Sequence, residues 1–156
     1  MLIHATSVAI DGKAVLIRGA PGSGKSTLAL ALLESAGNGL GRLPLHSLLV
    51  SDDQCLLELR NGTLFARAPE SLRGKLEVRG LGIVEVRRVV DAAAVVLVVD
   101  LDPAAERFPT GDRSVDFMGV TVPRVSLPPH AGALAARVRV AFSRLNSPVA
   151  GRAGEA

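Results

Sequence analysis

Residues 19–26 read Gly-Ala-Pro-Gly-Ser-Gly-Lys-Ser and fit the phosphate-binding loop G-x-x-x-x-G-K-[ST] at every fixed position. Glycines let the backbone wrap closely around a phosphate and aim its N–H groups inward. The Lys25 ammonium can then reach the outer phosphates of a nucleotide, and the Ser26 hydroxyl can bind Mg²⁺. The sequence therefore predicts a nucleotide-binding site formed by Gly19, Ala20, Pro21, Gly22, Ser23, Gly24, Lys25, Ser26 and Thr27.

The segments on either side of this loop suit a phosphate site. Residues 13–18 are a short apolar run that reads as a buried strand, and residues 27–34 are rich in strong helix formers. The partial positive charge at the start of such a helix favours an anion. However, Asp11-Gly12 predicts a hairpin turn between residues 2–10 and the strand before the loop. In ordinary P-loop folds the loop follows the first parallel strand, so the hairpin favours a different fold.

Length and composition predict one domain with an aliphatic core. The chain has 156 residues, 48% of them hydrophobic, but only 3% are aromatic and none is Trp or Tyr. Without those two residue types, the chain lacks the usual platforms for stacking single-stranded bases. The net charge of +3 is small and the arginines are scattered, which favours a solvated surface over a nucleic-acid patch. We therefore expect no nucleic-acid partner.

The single cysteine and the short apolar stretches limit the kinds of site the chain can form and where in the cell it can work. Cys55 alone excludes an internal disulfide and a cysteine-based zinc cluster, and we expect it to be a small core residue. No apolar stretch reaches the length of a membrane span, and the N-terminus lacks the charged and apolar regions of a signal peptide. These features predict a cytoplasmic protein with no membrane association.

The rest of the chain is rich in predicted strands and has few helices. Asn61-Gly62 is the strongest hairpin signal, and residues 131–145 read as a helix with three arginines, among them Arg139, on its outer side. Residues 146–156 are small and rich in Gly, and are predicted to be a disordered tail. Strands and helices do not alternate, which indicates an α/β, strand-rich, P-loop-containing fold that is not doubly wound. Further strands are predicted at residues 45–51, 55–60, 63–68, 76–79, 83–88, 94–100 and 120–127.

Three residues outside the loop could take part in the chemistry of the phosphate site. In the predicted hairpin, His4 lies at the end away from the turn and level with Gly19, beside the phosphates; the alternative is a surface histidine. Asp52 and Asp53 end a predicted strand, and such carboxylates can hold Mg²⁺ and accept a hydroxyl proton. Because adjacent strand residues point to opposite faces, we expect one of the two to face the phosphates while the other supports a turn. The alternative is a simple acidic turn.

Two further sites each have two interpretations. Glu77 and Arg79 share one face of a predicted strand, where they could serve metal and phosphate or form a surface ion pair of little value. Arg107 follows Asp102-Pro103 in a predicted loop, where it could stabilise a transferring phosphoryl group or simply be solvated. The residues by themselves leave both alternatives open.

Taken together, these features resemble the catalytic domain of the HPr kinase/phosphorylase family, whose members phosphorylate a serine of the phosphocarrier protein HPr. The run E-V-R-G-L-G-I at residues 77–83 is similar to the most distinctive motif of that family. The order of His4, the phosphate loop, the carboxylate pair and Arg107 also resembles the family pattern, and the resemblance covers residues 4–145. It implies a bacterial enzyme whose fold resembles phosphoenolpyruvate carboxykinase more than an ordinary P-loop kinase.

The resemblance also implies ATP and Mg²⁺ as cofactors and a role for each candidate residue. Lys25 would bind the outer phosphates, while Ser26 and Glu77 would hold Mg²⁺. Asp53 would take the proton from the attacking serine hydroxyl, with Asp52 in support. Charge around the phosphoryl group would be stabilised by two more side chains, His4 and Arg107.

The resemblance further implies a catalytic domain over residues 1–145, an HPr-type partner, and assembly into a homo-oligomer, which in the family is a hexamer. Typical members also carry an N-terminal domain, so we expect this chain to be a short form with the catalytic domain alone. The family uses a Pro-x-Arg-Pro-Gly-Arg loop for phosphate-driven removal of the phosphoryl group. The corresponding residues 128–133 contain no arginine here. Because two charged hydrogen-bond donors are missing, we expect weak, altered or absent phosphorylase activity.

The sequence leaves two other functions open. A regulatory module could bind nucleotide and a partner protein without turnover, although such a module has no need of the proton acceptor Asp53. A small-molecule kinase or a carboxykinase-like enzyme would need its own arginine-lined pocket, for which 156 residues leave little room.

Overall fold

The computed structural model describes residues 1–111 and 113–146, which form a large mixed sheet, a separate hairpin and two helices. The helices are α1 (Lys25–Glu34) and α2 (Leu134–Asn146), and a 3-10 turn covers Glu70–Leu72. The strands are β1 (Leu2–Ile3), β2 (Thr6–Ile10), β3 (Lys13–Gly19), β4 (Ser47–Ser51), β5 (Cys55–Arg60), β6 (Thr63–Arg67), β7 (Lys75–Val78), β8 (Gly82–Glu85), β9 (Ala93–Leu101), β10 (Ser114–Phe117) and β11 (Val120–Leu127).

β9 is the central strand of the large sheet, whose main order is β1-β5-β6-β9-β3-β2-β4. It pairs in parallel with β3 from Ala94 to Leu101 and with β11 from Val98 to Leu101, whereas β6 pairs antiparallel with its first two residues. Because parallel strands end on the same side, β3, β9 and β11 end together at the edge where the phosphate loop begins. The antiparallel strands around them make the sheet mixed, so the fold is strand-rich and not doubly wound, as predicted.

Side chains alternate between the two faces of the sheet along each strand, and both faces carry a buried apolar cluster. Val15 and Ile17 of β3 pack with α1 and α2 on one face, whereas Ala14 and Leu16 pack on the other face with residues of β5, β6 and β10. The hairpin of β7 and β8 adds Leu76 to the helical face. α1 is therefore held between the sheet, the hairpin and α2.

Two arginines hold the C-terminal end of α1. Arg139 of α2 donates hydrogen bonds to the carbonyl oxygens of Leu32 at 3.2 Å and Ser35 at 2.7 Å, and Arg88 donates to that of Leu33 at 3.0 Å. The last carbonyls of a helix have no partner within it and carry partial negative charge, so cations stabilise this end. Arg139 is only 2% exposed, so the prediction that it lies on the outer side of its helix is wrong.

Some element boundaries differ from the sequence prediction. The predicted strand over residues 2–10 is broken at His4-Ala5, since β1 pairs with β5 while β2 pairs with β3. β10 has no counterpart in the prediction. β7 ends before Arg79, which lies in the turn to β8 and so does not share a strand face with Glu77.

The C-terminal helix starts later than predicted. α2 begins at Leu134, because His130 and Ala133 have positive φ angles that a right-handed helix does not contain. Its last residue, Asn146, falls within the predicted tail, and residues 147–156 lie outside the described residues. In the part of the chain that the structure describes, neither helix is long and apolar enough to cross a membrane. The cytoplasmic location stays a prediction.

Candidate active site

The phosphate loop lies between β3 and α1, as predicted. Gly22 and Gly24 have φ angles of 79° and 100°, in the left-handed region that glycine adopts without steric cost. A Cβ atom on Gly19 would lie 2.4 Å from Oγ of Ser23, so the loop folds back tightly over its own first residue. The observed backbone therefore favours glycine at all three positions.

The loop also presents the polar groups that a phosphate requires. Lys25 is 7% exposed, and its Nζ atom donates to the carbonyl oxygens of Gly19 at 3.0 Å and Ala20 at 3.2 Å. The Ser23 hydroxyl is buried and has no hydrogen-bond partner among the described residues. An unpartnered hydroxyl and an ammonium that is bonded to two neutral carbonyls can both turn to an anion. These residues fit the phosphate groups of a nucleotide.

Asp52 lies behind the loop as a shared hydrogen-bond acceptor. It directly follows β4 and is 6% exposed. Its Oδ1 atom accepts hydrogen bonds from the hydroxyls of Ser26 at 2.7 Å and Thr6 at 2.8 Å, and its Oδ2 atom accepts one from the N–H of Glu77 at 3.0 Å. One carboxylate thus ties together α1, β2 and β7. Asp52 is the member of the pair whose side chain faces the phosphate loop.

Asp53 is the exposed member of the pair. Its φ angle is 68°, in the left-handed region, and its N–H donates to Oγ1 of Thr6 at 3.2 Å. Its Oδ1 atom lies 3.6 Å from Nδ1 of His4, and the two side chains are 60% and 52% exposed, respectively. The structure thus brings His4 to the carboxylate of Asp53, while its contact with phosphate stays a prediction.

The two predicted metal ligands, Ser26 and Glu77, are both bonded to Asp52. Ser26 gives its one hydroxyl proton to Asp52 and so keeps oxygen lone pairs for a cation. Glu77 donates its backbone N–H to the same carboxylate, and its own side chain is exposed. Among the described residues, no three His, Cys, Asp or Glu side chains are grouped so that they could hold a metal by themselves. This sparse set suits Mg²⁺, which retains waters and phosphate oxygens among its ligands.

Arg107 and Arg79 lie apart from this group of residues. Arg107 is exposed between β9 and β10, and its guanidinium lies 5.4 Å from the centre of the Phe108 ring. Within the described ranges it makes no hydrogen bond or ion pair with the phosphate loop. Arg79 is exposed in the turn after β7. Their roles toward the phosphoryl group stay predictions.

Two residues of the site were not candidates from the sequence. Thr6 bonds to both members of the carboxylate pair. His130 lies in the loop before α2 and packs against the phosphate loop. A Cβ atom on Gly24 would be 3.5 Å from Cε1 of His130 and 3.6 Å from Nδ1 of His130. Alternation along β2 could have placed the Thr6 side chain, whereas the position of His130 depends on how the C-terminal part of the chain returns to the sheet.

A charged cluster joins the three parallel strands below the loop. Arg18 of β3 donates two hydrogen bonds, of 2.8 and 2.9 Å, to the carboxylate of Asp100 in β9. Nη1 of Arg124 in β11 lies 3.6 Å from the same carboxylate. Since two cations surround Asp100, its negative charge is compensated and does not oppose an anion bound in the loop.

Comparisons with known proteins agree on one family. The family described as "HPr Serine kinase C-terminal domain" matches residues 1–147. The HPr kinase/phosphorylase of Lactobacillus acidophilus is 30% identical over 141 residues, which cover 83% of this chain and 41% of that protein. The HPr kinase/phosphorylase of Chloroherpeton thalassium is 32% identical over 140 residues, which cover 83% of this chain and 38% of that protein. This chain thus spans about two fifths of the length of these curated relatives.

The fold is likewise similar to a solved structure. The Hpr(Ser) kinase/phosphatase from Coxiella burnetii superimposes with a TM-score of 0.74 at 28% sequence identity, covering 94% of this chain and 90% of that one. This similarity confirms the predicted α/β, strand-rich fold, which contains a P-loop and resembles phosphoenolpyruvate carboxykinase.

Proposed function

This chain belongs to the HPr serine kinase C-terminal domain family, and from that premise we propose that it is a Mg²⁺- and ATP-dependent kinase acting on a serine of an HPr-type protein. The observation that carries the proposal is the direct link between the phosphate loop and the carboxylate pair. Ser26 bonds to Asp52 at 2.7 Å, and the next residue, Asp53, holds its carboxylate in solvent. A phosphate site beside an accessible proton acceptor is what phosphoryl transfer to a hydroxyl requires.

In this proposal ATP binds with its phosphates in the loop of residues 19–26. Lys25 exchanges its carbonyl contacts for the outer phosphates, and the N-terminus of α1 adds its partial positive charge. Ser26 and Glu77 would hold Mg²⁺, which would neutralise charge on the phosphates. The contribution of the protein is then positioning and charge stabilisation rather than covalent chemistry.

We assign the proton acceptor to Asp53 rather than to Asp52. The carboxylate of Asp52 is buried and already accepts three hydrogen bonds, so its oxygens are engaged in holding the site together. Asp53 is 60% exposed, and a serine on the surface of a partner protein can reach its carboxylate. His4, 3.6 Å from Asp53, can orient that carboxylate or contact the phosphoryl group.

We also propose that the reverse, phosphate-driven reaction is weak, altered or absent. The loop of residues 128–133 lies beside the phosphate loop, since His130 approaches Gly24, but it contains no arginine. Inorganic phosphate bound there would therefore contact the imidazole of His130, whereas the family loop provides guanidinium groups at this place. Rapid phosphate-dependent release of pyrophosphate from phospho-HPr would contradict this part of the proposal.

The direct test is transfer of labelled phosphate from ATP to several HPr proteins by the full chain. Asp53→Asn removes the acceptor without changing the shape of the side chain, and we expect transfer to fall on the order of 10²- to 10⁴-fold. Asp91→Asn is the matched control, because Asp91 is exposed and pairs with Arg73 at the surface. Undiminished transfer by Asp53→Asn would refute the assigned role.

The same experiment separates the kinase from a nucleotide-binding module without turnover. A module predicts that ATP binds, as measured by calorimetry, while no HPr protein acquires label. The homo-oligomer implied by the resemblance stays a prediction, which sedimentation of the same sample would test.

A further inference from the structure

Thr6 lies between the two carboxylate-bearing residues of the site. It is the first residue of β2 and is 0% exposed. Its hydroxyl donates to Oδ1 of Asp52 at 2.8 Å and accepts the N–H of Asp53 at 3.2 Å. A hydroxyl has one proton and two lone pairs, so it can make both bonds at once.

The bond to Asp53 supports a backbone conformation that is otherwise unfavourable. Asp53 has a φ angle of 68°, which residues with a Cβ atom seldom adopt unless the surroundings hold them there. This conformation turns the chain so that Asp52 points inward to Ser26 while Asp53 points outward to His4. Extended strand geometry alone would also separate the two side chains, but it would not fix where the exposed carboxylate lies.

We propose that Thr6 is a positioning residue for the carboxylate pair: its hydroxyl holds Asp53 at a fixed place relative to Asp52 and the phosphate loop. Thr6 is buried and acts through the two aspartates rather than by touching the substrate. The expected effect of Thr6 on catalysis rests on the proposed function. The bridge itself can be observed without any reaction.

The next residue along β2 provides a matched control. The hydroxyl of Ser7 is also 0% exposed, but it donates to the carbonyl oxygen of Val15 at 3.0 Å within the β2–β3 hairpin. Thr6→Val and Ser7→Ala therefore each remove one buried hydroxyl from the same strand, yet only Thr6→Val breaks a bond to the carboxylate pair. Thr6→Ser retains the hydroxyl and serves as the conservative variant.

The first measurement is the hydrogen-exchange rate of the Asp53 amide in the full chain. We expect Thr6→Val to raise this rate on the order of tenfold, the factor to which a typical net hydrogen bond corresponds. Thr6→Ser and Ser7→Ala should leave the rate close to that of the original chain. An unchanged rate in Thr6→Val would overturn the bridge; if that variant fails to fold, Thr6→Ala takes its place.

The second measurement is phosphoryl transfer to HPr. We expect Thr6→Val to lower kcat on the order of tenfold to a hundredfold while KM for ATP stays the same, because the acceptor is displaced but the phosphate loop is intact. Thr6→Ser should restore kcat, and Ser7→Ala should not lower it. Equal kcat in Thr6→Val and the original chain would overturn the positioning role. If the original chain transfers no phosphate, the proposed function fails, whereas the exchange rates still decide whether Thr6 holds Asp53.

Discussion

The Ser26 hydroxyl donates a 2.7 Å hydrogen bond to Oδ1 of Asp52, so the last residue of the phosphate loop is bonded directly to the carboxylate pair. Thr6 donates to the same oxygen, and Glu77 donates its backbone N–H to the other. A single buried side chain therefore links the proposed nucleotide site, the candidate proton acceptor and a candidate metal ligand.

Replacing this shared acceptor should lower the stability of the fold. In Asp52→Asn, the new N–H₂ group would face either the Glu77 N–H or the hydroxyls of Ser26 and Thr6, all of which now donate to the carboxylate. At least one buried hydrogen bond would therefore be lost. We expect the free energy of unfolding in urea to fall by about 1–3 kcal/mol. Asp91→Asn, at an exposed position, should change it by less than about 0.5 kcal/mol. Equal stability of the two variants would show that Asp52 is not the structural centre of the site.

A fixed charge in the loop of His130 should strengthen the binding of inorganic phosphate. His130→Arg places a guanidinium beside Gly24, and a new charge-assisted hydrogen bond should raise phosphate affinity on the order of tenfold. Competition of phosphate with ATP, followed by calorimetry, measures this without any phosphoryl transfer. His46→Arg is the control, because His46 is exposed beside the Asp11 turn. If both variants gain equally, the effect comes from overall charge and not from this loop.

The arginine that holds the end of α1 should be important for stability. Arg139→Met keeps the aliphatic stem but leaves the carbonyls of Leu32 and Ser35 without their donor. We expect a loss of about 1.5–3 kcal/mol in the free energy of unfolding, the range for hydrogen bonds to charged groups. Arg137→Met removes an exposed arginine from the same helix and should cost little. A large loss in Arg137→Met would indicate a general requirement for positive charge on α2 instead.

Because of the buried cysteine, the stability of the fold should fall at alkaline pH. Burial raises the pKa of the Cys55 thiol from 9.0 to about 12, so the folded protein favours the neutral thiol more than the unfolded chain does. This contribution to stability is fully present below pH 9 and is lost as the pH rises from 9 toward 12. Relative to Cys55→Ala, the free energy of unfolding of the original chain should fall by about 1.4 kcal/mol per pH unit in that window. Parallel pH profiles of the two proteins would argue against a buried, neutral thiol.

Local signals in the sequence predicted the turns and the phosphate loop well. Asp11-Gly12 and Asn61-Gly62 both have the paired positive φ angles of tight hairpin turns, because two adjacent residues decide that geometry. The loop of residues 19–26 is likewise determined by its own glycines and by the helix that follows. These elements need no information from distant parts of the chain.

Features that depend on distant contacts were not predictable in this way. Arg139 is predicted on the outer side of its helix, but its partners are the carbonyl oxygens of Leu32, in the last turn of α1, and of Ser35, which directly follows α1. Thr6 looks like an ordinary strand residue, and only the return of Asp52 and Asp53 to the start of β2 gives its hydroxyl a role. His130 approaches Gly24 for a similar long-range reason.

The pairing of β3 with β9 has a consequence for how the protein is made. β3 ends at residue 19, but its parallel neighbour begins only at residue 93. During synthesis, the strand that carries the phosphate loop therefore leaves the ribosome well before the strand that supports it, and only its hairpin with β2 can form early. Closing such a long-range parallel pair is slow, because the chain entropy is lost before the contacts are gained. The strand pair that supports the loop of residues 19–26 is thus a late product of folding. If the loop binds ATP as proposed, ATP in solution would stabilise this final step and would not guide the first ones.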